Sequence, residues 1–175
     1  MGDHAERHLT MAGSEKSVAF ERSGGRITIL LGEEERELIA NLAGQFRSVL
    51  AEDTSPDLHR LYPTAYPDDA DKDSEYASLV HEDLLRSRLN AVETVEATVQ
   101  ADSIDPDELT AWMALLNGLR LLLGTRLDIS EEDGFDPDAP DAPTRALLTW
   151  LGLLLEESVL AATTFLPPHT HPMTL

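Results

Sequence analysis

Apolar and polar residues recur along the chain with two different periods, and the first period is that of a β-hairpin. The segment SVAFERSGGRITILL, residues 17–31, carries two short apolar runs on either side of a Gly-Gly pair. If the glycine pair forms a two-residue turn, Phe20 lies opposite Ile29. The same register sets Val18 opposite Leu31, so that all four apolar side chains share one face. The pattern therefore predicts a β-hairpin over residues 17–31.

The rest of the chain has apolar residues at the three- and four-residue spacing of amphipathic helices, and it predicts four of them. The second lies within residues 74–101 and the fourth spans about residues 144–163. The third has the clearest start, because Asp105 provides an N-cap, Pro106 a first-turn proline and Glu108 the glutamate of a capping box. The apolar positions of the first three helices are Leu38, Leu42, Phe46, Val49 and Leu50, then Leu84, Val92, Val95 and Val99, then Leu109, Trp112, Leu116, Leu119 and Leu123.

One hairpin and four helices in 175 residues indicate a single mainly α domain. We expect residues 17–165 to form this four-helix bundle-like domain with its small N-terminal β-hairpin. Residues 1–16 and 166–175 lack periodicity, so they are predicted to be a flexible leader and a flexible tail. Residues 128–143, with seven acids and no base, are predicted to be a solvated loop.

Polar side chains interrupt the most apolar helices. The segment LLNGLRLLLGTRL, residues 115–127, has seven leucines and yet carries Asn117, Arg120 and Arg126. Arg88 lies in the same way inside the apolar stripe of the second helix. Because a buried guanidinium needs compensation, we expect Arg88 and Arg120 to pair with carboxylates of facing helices. The acidic residues considered for this pairing are Glu93, Glu96, Glu156 and Glu157.

Composition narrows the range of functions. The chain has 33 acidic and 13 basic residues, a net charge of −20, which repels phosphate backbones and anionic membranes. The best candidate for a membrane span, residues 146–162, contains two glutamates, so no membrane span is predicted. The N-terminus lacks the apolar core of a signal peptide, so a cytoplasmic protein is predicted. Cysteine is absent, which excludes disulfides, thiol switches and cysteine-bound metal.

Motifs for catalysis or for a resident metal are also missing. The chain contains no G-x-S-x-G, P-loop, dinucleotide fingerprint or H-E-x-x-H. Asp71, Asp73, Glu75 and Glu82 follow a calcium-loop spacing, but Tyr76 occupies the position where the sharp turn requires glycine. We therefore expect no enzymatic activity, no cofactor and no specific metal site.

A resemblance to a known family covers most of the chain. The matching segments are DLHRLYPTAYPDD (57–69), SEYASLVHEDLLRSRL (74–89), WMALLNGLRLLLGTRLDISEED (112–133) and TWLGLLLEESV (149–159). In this order they resemble the actinobacterial family of the oxidative-stress transcriptional regulator AosR. The resemblance implies a cytoplasmic regulator that works with an alternative sigma factor and RNA polymerase. Redox sensing in that family is attributed to an N-terminal cysteine pair, which this chain lacks.

Two functions from different classes follow from these patterns. In the preferred one, a non-enzymatic regulator docks a sigma factor or RNA polymerase without binding DNA directly; a homodimer is compatible with this. In the alternative, a small ligand or a metal binds at the polar residues around Arg88 and Arg120, where a reaction could follow. The candidate partner- or anion-binding residues are Arg88, Asn117, Arg120 and Arg126. A deep polar cavity would favour the alternative, and an exposed apolar patch would favour protein contact.

Overall fold

Four helices and a small antiparallel sheet make up the part of the chain that the structure, a computed structural model, describes: residues 18–52, 58, 61–62, 64–127 and 136–163. In chain order the elements are β1 (Phe20–Ser23), β2 (Arg26–Ile29), α1 (Glu33–Ala51), α2 (Ala70–Thr98), β3 (Ser103–Ile104), α3 (Pro106–Arg126) and α4 (Ala142–Thr163). The prediction of a mainly α domain with an N-terminal hairpin is confirmed. The predicted leader and tail lie outside the described residues.

The hairpin has the predicted register, with Phe20 paired to Ile29. Gly24 adopts a φ of 62°, a left-handed conformation that glycine accepts without steric cost. The prediction for Val18 is wrong: strand β1 begins only at Phe20, and the Val18 side chain is exposed. Strand β3 adds a third strand beside β2. Its two residues are too few to produce a period that could be recognised in the sequence.

The helix starts follow local capping chemistry. At α3 the backbone N–H of Glu108 donates to the Asp105 carboxylate and the N–H of Asp105 donates to the Glu108 carboxylate, both at 2.8 Å, as the capping box predicts. Helix α2 begins four residues earlier than predicted, because the Asp69 carboxylate accepts from the N–H of Lys72 at 3.1 Å and caps an earlier turn.

Helix α3 lies at the centre and packs on α2, α4 and the sheet. The fully buried Trp112 meets the ring of Phe20 edge-to-face at 5.6 Å and donates from Nε1 to the Thr98 hydroxyl at 2.9 Å. On another side, Gly118 allows α1 to approach closely, since a Cβ at this position would lie 2.8 Å from Cζ of Phe46. The core therefore fixes α3 against both the sheet and α1.

Arg36, which sequence analysis did not single out, joins the sheet to α1 and to the end of α2. Its guanidinium donates to four backbone carbonyls, those of Leu31, Ile29, Val99 and Ala101, at 2.7–2.9 Å. The half-buried charge is thus satisfied by carbonyl oxygens rather than by a carboxylate. In the sequence Arg36 follows three glutamates in a first turn, a context that is typical of a surface residue.

Helix α4 buries only one side. Leu151, Leu154, Ser158 and Ala161 are buried, and the Glu157 carboxylate accepts from the backbone N–H of Ala19 at 2.6 Å. Among the described helices, α4 alone is long and apolar enough to cross a membrane. Core helices of soluble proteins also meet this criterion of length and composition. Only 22% of the apolar 18-residue window of α4 is buried, so much of its apolar surface is uncovered.

Candidate partner-binding surface

The four candidate residues do not form one site. Arg88 on α2 lines a pocket of about 420 Å³, whereas Arg120 on α3 lines a different pocket of about 480 Å³ against α4. Asn117 and Arg126 are exposed on α3 and line neither of these two pockets. The single polar cavity around Arg88 and Arg120 that would have favoured a shared ligand site is therefore not formed.

The carboxylate predicted for Arg88 is not present. Its Nη2 donates to the Leu61 carbonyl at 2.6 Å, and its guanidinium carbon lies 5.7 Å from the centre of the Tyr62 ring. Within the described ranges no carboxylate lies within 4.0 Å of this guanidinium, and Nε has no hydrogen-bond partner. Burial lowers the pKa of Arg88 below its ordinary value, while Tyr62 opposes this shift. Arg88 is therefore a cation with no carboxylate partner among the described residues.

Aromatic rings surround this cation. The Tyr62 ring contacts the His81 ring with centroids 4.4 Å apart, and both residues line the Arg88 pocket. Tyr76 lines the same pocket and meets Tyr66 edge-to-face at 5.9 Å. The pocket lining also includes Asp73, whose carboxylate accepts from two backbone N–H groups, so the pocket combines aromatic walls with the Arg88 cation and one hydrogen-bonded carboxylate.

The calcium-loop spacing lies in a helix rather than in a loop. Residues 71–82 belong to the continuous helix α2, and Asp73 uses its carboxylate to accept the N–H groups of Ala65 and Tyr66 at 2.7 and 3.0 Å. In the part of the chain that the structure describes, no group of three or more His, Asp or Glu side chains could hold a metal ion. Through these two hydrogen bonds, Asp73 holds residues 65 and 66 against α2.

The N-terminal two-thirds of α2 contain no fully buried side chain, although Leu85 and Leu89 pack against the core. We call residues 64–89 the acidic arm: it contains seven acidic and three basic residues, and none of its side chains is fully buried. The buried residues of α2, which are Ala91, Val92, Val95 and Thr98, all follow it. A 29-residue helix that buries only its last turns leaves most of its length available to a partner.

Large apolar side chains lie together on the acidic arm. Tyr66, Tyr76 and Leu79 are 46%, 43% and 72% exposed and line one shallow depression with Lys72 and Glu75. Leu84, which was assigned to the apolar stripe of α2, is also exposed. Sequence analysis missed this cluster, although its signal was present: Tyr76 and Leu79 are three residues apart on a helix and so share one face.

Arg120 does not form the predicted ion pair either. The half-buried guanidinium lies along the α4 backbone, where a Cβ at Gly152 would be 3.5 Å from its Nε. That Nε has no hydrogen-bond partner, and no carboxylate of the described residues lies within 4.0 Å. Two of the acids considered for it have other partners: Glu96 pairs with Arg47, and Glu157 accepts from Ala19.

Comparison with known proteins places the chain in a family. The model of a family described as a domain of unknown function, DUF2017, matches residues 17–162, and the chain belongs to that family. No curated protein and no solved structure is significantly similar to the chain.

Proposed function

We propose that this chain is a non-enzymatic regulatory protein that works by docking another protein through the acidic arm. The observation that carries the proposal is the joint exposure of Tyr66, which precedes α2, and of Tyr76 and Leu79 on α2, all three lining one depression of the acidic arm. Aromatic and large apolar side chains supply most of the affinity at protein interfaces. The surrounding acids would steer a basic partner and repel nucleic acid.

The partner we propose is a basic, nucleic-acid-binding region of a sigma factor or of RNA polymerase in the cytoplasm. Two observations support this choice: the resemblance to the AosR family, which implies a role in the oxidative-stress response, and the net charge of −20. When the acidic arm is bound to such a region, it would compete with the DNA that the region binds. Because the chain has no cysteine, its affinity for the partner should be equal in reducing and in mildly oxidising buffer.

The test is to measure binding to immobilised holoenzyme components by interferometry. The variant is Tyr76→Ser with Leu79→Ser, which removes two exposed anchors without touching the core. A matched control is Leu38→Ser, because Leu38 is 40% exposed on α1. We expect the double variant to bind at least about tenfold more weakly and the control to bind normally.

Two results would contradict the proposal. One is tight, sequence-specific binding of the purified chain to promoter DNA alone in a gel shift at moderate salt. The other is an equal loss of partner binding in the arm variant and in the Leu38→Ser control, since this would separate binding from the acidic arm.

A second candidate function rests on Arg88, which has no carboxylate partner among the described residues. A small aromatic carboxylate in the Arg88 pocket would neutralise the guanidinium and stack on Tyr62 or Tyr76. Benzoate-like probes should then raise the melting temperature of the wild-type protein and not that of Arg88→Met. The absence of any stabilisation by such probes would rule against this candidate and would leave the docking proposal unaffected.

A further inference from the structure

The outward side of α4 carries an apolar surface that the monomer leaves uncovered. We call Gly152, Leu153, Glu156, Val159 and Leu160 the α4 outer face. Its three large apolar residues are 43% to 67% exposed. They lie on the part of α4 between its contacts with α3 and with β1: Val159 and Leu160 border a pocket beside Arg120, and Leu153 borders a depression beside Ala19. A contiguous apolar surface of this kind marks a contact site rather than a solvated helix face.

The same face holds two opposite charges that do not neutralise each other. Arg120 and Glu156 line one pocket of about 480 Å³ between α3 and α4, with Gly152, Leu155, Val159 and Leu160 completing it. Glu156 is exposed, and no ion pair between it and Arg120 is formed within 4.0 Å. Among the described residues, this surface therefore offers a guanidinium without a carboxylate partner and, one helical turn beyond Gly152, a carboxylate without a cationic partner.

We infer that the α4 outer face binds a second copy of this chain, with α4 antiparallel to α4 about a two-fold axis midway between Gly152 and Glu156. This axis sets Gly152 of one copy opposite Glu156 of the other. Because the Arg120 guanidinium lies against Gly152, each Glu156 then faces the Arg120 of the other copy. Two reciprocal ion pairs form, and the exposed leucines and Val159 are buried around them.

Self-complementarity favours a second copy over other occupants of this face. A two-fold interface needs one surface that carries both members of each contact, and Arg120 with Glu156 meet that requirement. A lipid bilayer would leave both charges facing hydrocarbon. A purely basic partner surface would be repelled by Arg120.

The direction of the helices follows from the same charges. A parallel arrangement would place the two Glu156 carboxylates side by side and add a like-charge repulsion to that between two chains of net charge −20. The antiparallel arrangement replaces that contact with two attractive ones. Helix α4 is about 33 Å long over its 22 residues, and the proposed axis lies near the middle of the helix.

The experiment compares oligomeric state across charge-reversal variants by sedimentation velocity. We expect the wild-type chain to form dimers with a Kd below about 100 µM, and Arg120→Glu and Glu156→Arg each to raise the Kd about tenfold or more. The decisive sample is an equimolar mixture of these two variants. In a heterodimer both reciprocal contacts become attractive again, so the mixture should dimerise within about threefold of the wild type although neither variant does so alone.

This mixture separates an intermolecular contact from an effect within one chain. A charge reversal that only disturbed the monomer could not be rescued by adding a second variant. Glu37→Arg, an equal charge change at an exposed position of α1, is the matched control and should dimerise normally or slightly better. Leu160→Asp should abolish dimers without unfolding the chain, because Leu160 is 67% exposed.

Several results would overturn the inference. They are a wild-type chain that stays monomeric at several hundred micromolar, dimers that persist in both charge-reversal variants, and a mixture that remains monomeric while the wild type dimerises. Binding of the wild-type monomer to neutral lipid vesicles through α4, lost in Leu160→Asp, would also overturn it. Since none of these samples contains a transcription protein, their outcome does not depend on whether the acidic arm docks one.

Discussion

Helix α2 carries one half-buried arginine and ends beside another, and the two arginines differ in how many hydrogen-bond acceptors surround them. Near the C-terminal end of α2, Arg36 of α1 donates to four backbone carbonyls. Two of them precede α1 and two follow α2. In α2 itself, Arg88 donates to one carbonyl, lies near the Tyr62 ring and keeps an unpaired Nε. The guanidinium of Arg36 thus has four backbone acceptors, whereas that of Arg88 has one and leaves a buried Nε–H unsatisfied.

The difference extends to the surrounding residues. Around Arg36, the apolar sheet residues Phe20, Ile27 and Ile29 are buried, and so are Trp112 and Thr98, which are hydrogen-bonded to each other. Around Arg88, the acidic arm buries none of its side chains fully and exposes Tyr76 and Leu79. Stability is therefore expected to come from the hairpin end of the molecule, while the arm contributes little to stability and is available for binding.

The largest expected effect is at Arg36. Arg36→Met keeps the aliphatic packing but leaves four carbonyls without their donor, so we expect the free energy of unfolding to fall by about 3 kcal/mol. Urea titration followed by circular dichroism measures it. The control Arg86→Met removes only an exposed pair with Asp83 and should cost less than about 0.5 kcal/mol. Equal losses in the two variants would contradict the role assigned to Arg36.

Thr98 should give the next largest effect. Thr98→Val leaves the indole N–H of the fully buried Trp112 without its acceptor, at an expected cost of about 2 kcal/mol in the same titration. Thr94→Val is the matched control: it removes a hydroxyl on the same helix that donates only to the carbonyl of Asn90. A cost at position 94 as large as at position 98 would show that the indole bond does not stabilise the core.

Arg88 should contribute far less than Arg36. Arg88→Met removes one hydrogen bond and a ring contact, but it also removes a charge that burial disfavours, as the lowered pKa of Arg88 indicates. We expect unfolding free energy to change by less than about 1 kcal/mol. A loss similar to that of Arg36→Met would place the arm in the stabilising core and remove the contrast between the two regions.

The smallest effect on stability is expected at Leu79. Leu79→Ser changes a side chain that is 72% exposed, so the free energy of unfolding should stay within about 0.5 kcal/mol of the wild type. Thermal and urea unfolding both measure this quantity. A clear destabilisation would mean that Leu79 packs inside the folded chain in solution, which is incompatible with its use as a docking anchor.

Local sequence patterns predicted most of the fold. The turn at Gly24, the register of Phe20 with Ile29 and the capping box of Asp105 with Glu108 each depend on residues close in sequence, and each was predicted correctly. Boundaries were less accurate where a cap was weak in the sequence, as at the start of α2. The exposed Leu38 and the buried Ile39 differ by one residue on α1, a distinction that depends on how the helix is rotated against its neighbours.

The partners of the arginines could not be predicted, because they depend on backbone carbonyls brought together by the fold. The sequence identifies acids, which suggested Glu96 and Glu157 as partners, but it does not identify which carbonyls converge. Arg36 was missed for that reason, and Arg88 and Arg120 were given carboxylates that they do not contact. The separation of Arg88 from Arg120 likewise depends on tertiary packing, since both lie in apolar stripes of adjacent helices.

Hydrogen exchange measured by mass spectrometry, with and without the proposed partner, tests most directly whether the acidic arm is the docking surface. In the free protein, amides of residues 70–85 should exchange much faster than those of α3 and of the last turns of α2. Adding RNA polymerase holoenzyme should slow exchange in the arm alone. The opposite result, an unchanged arm with new protection in α3 or at the hairpin end, would contradict this assignment.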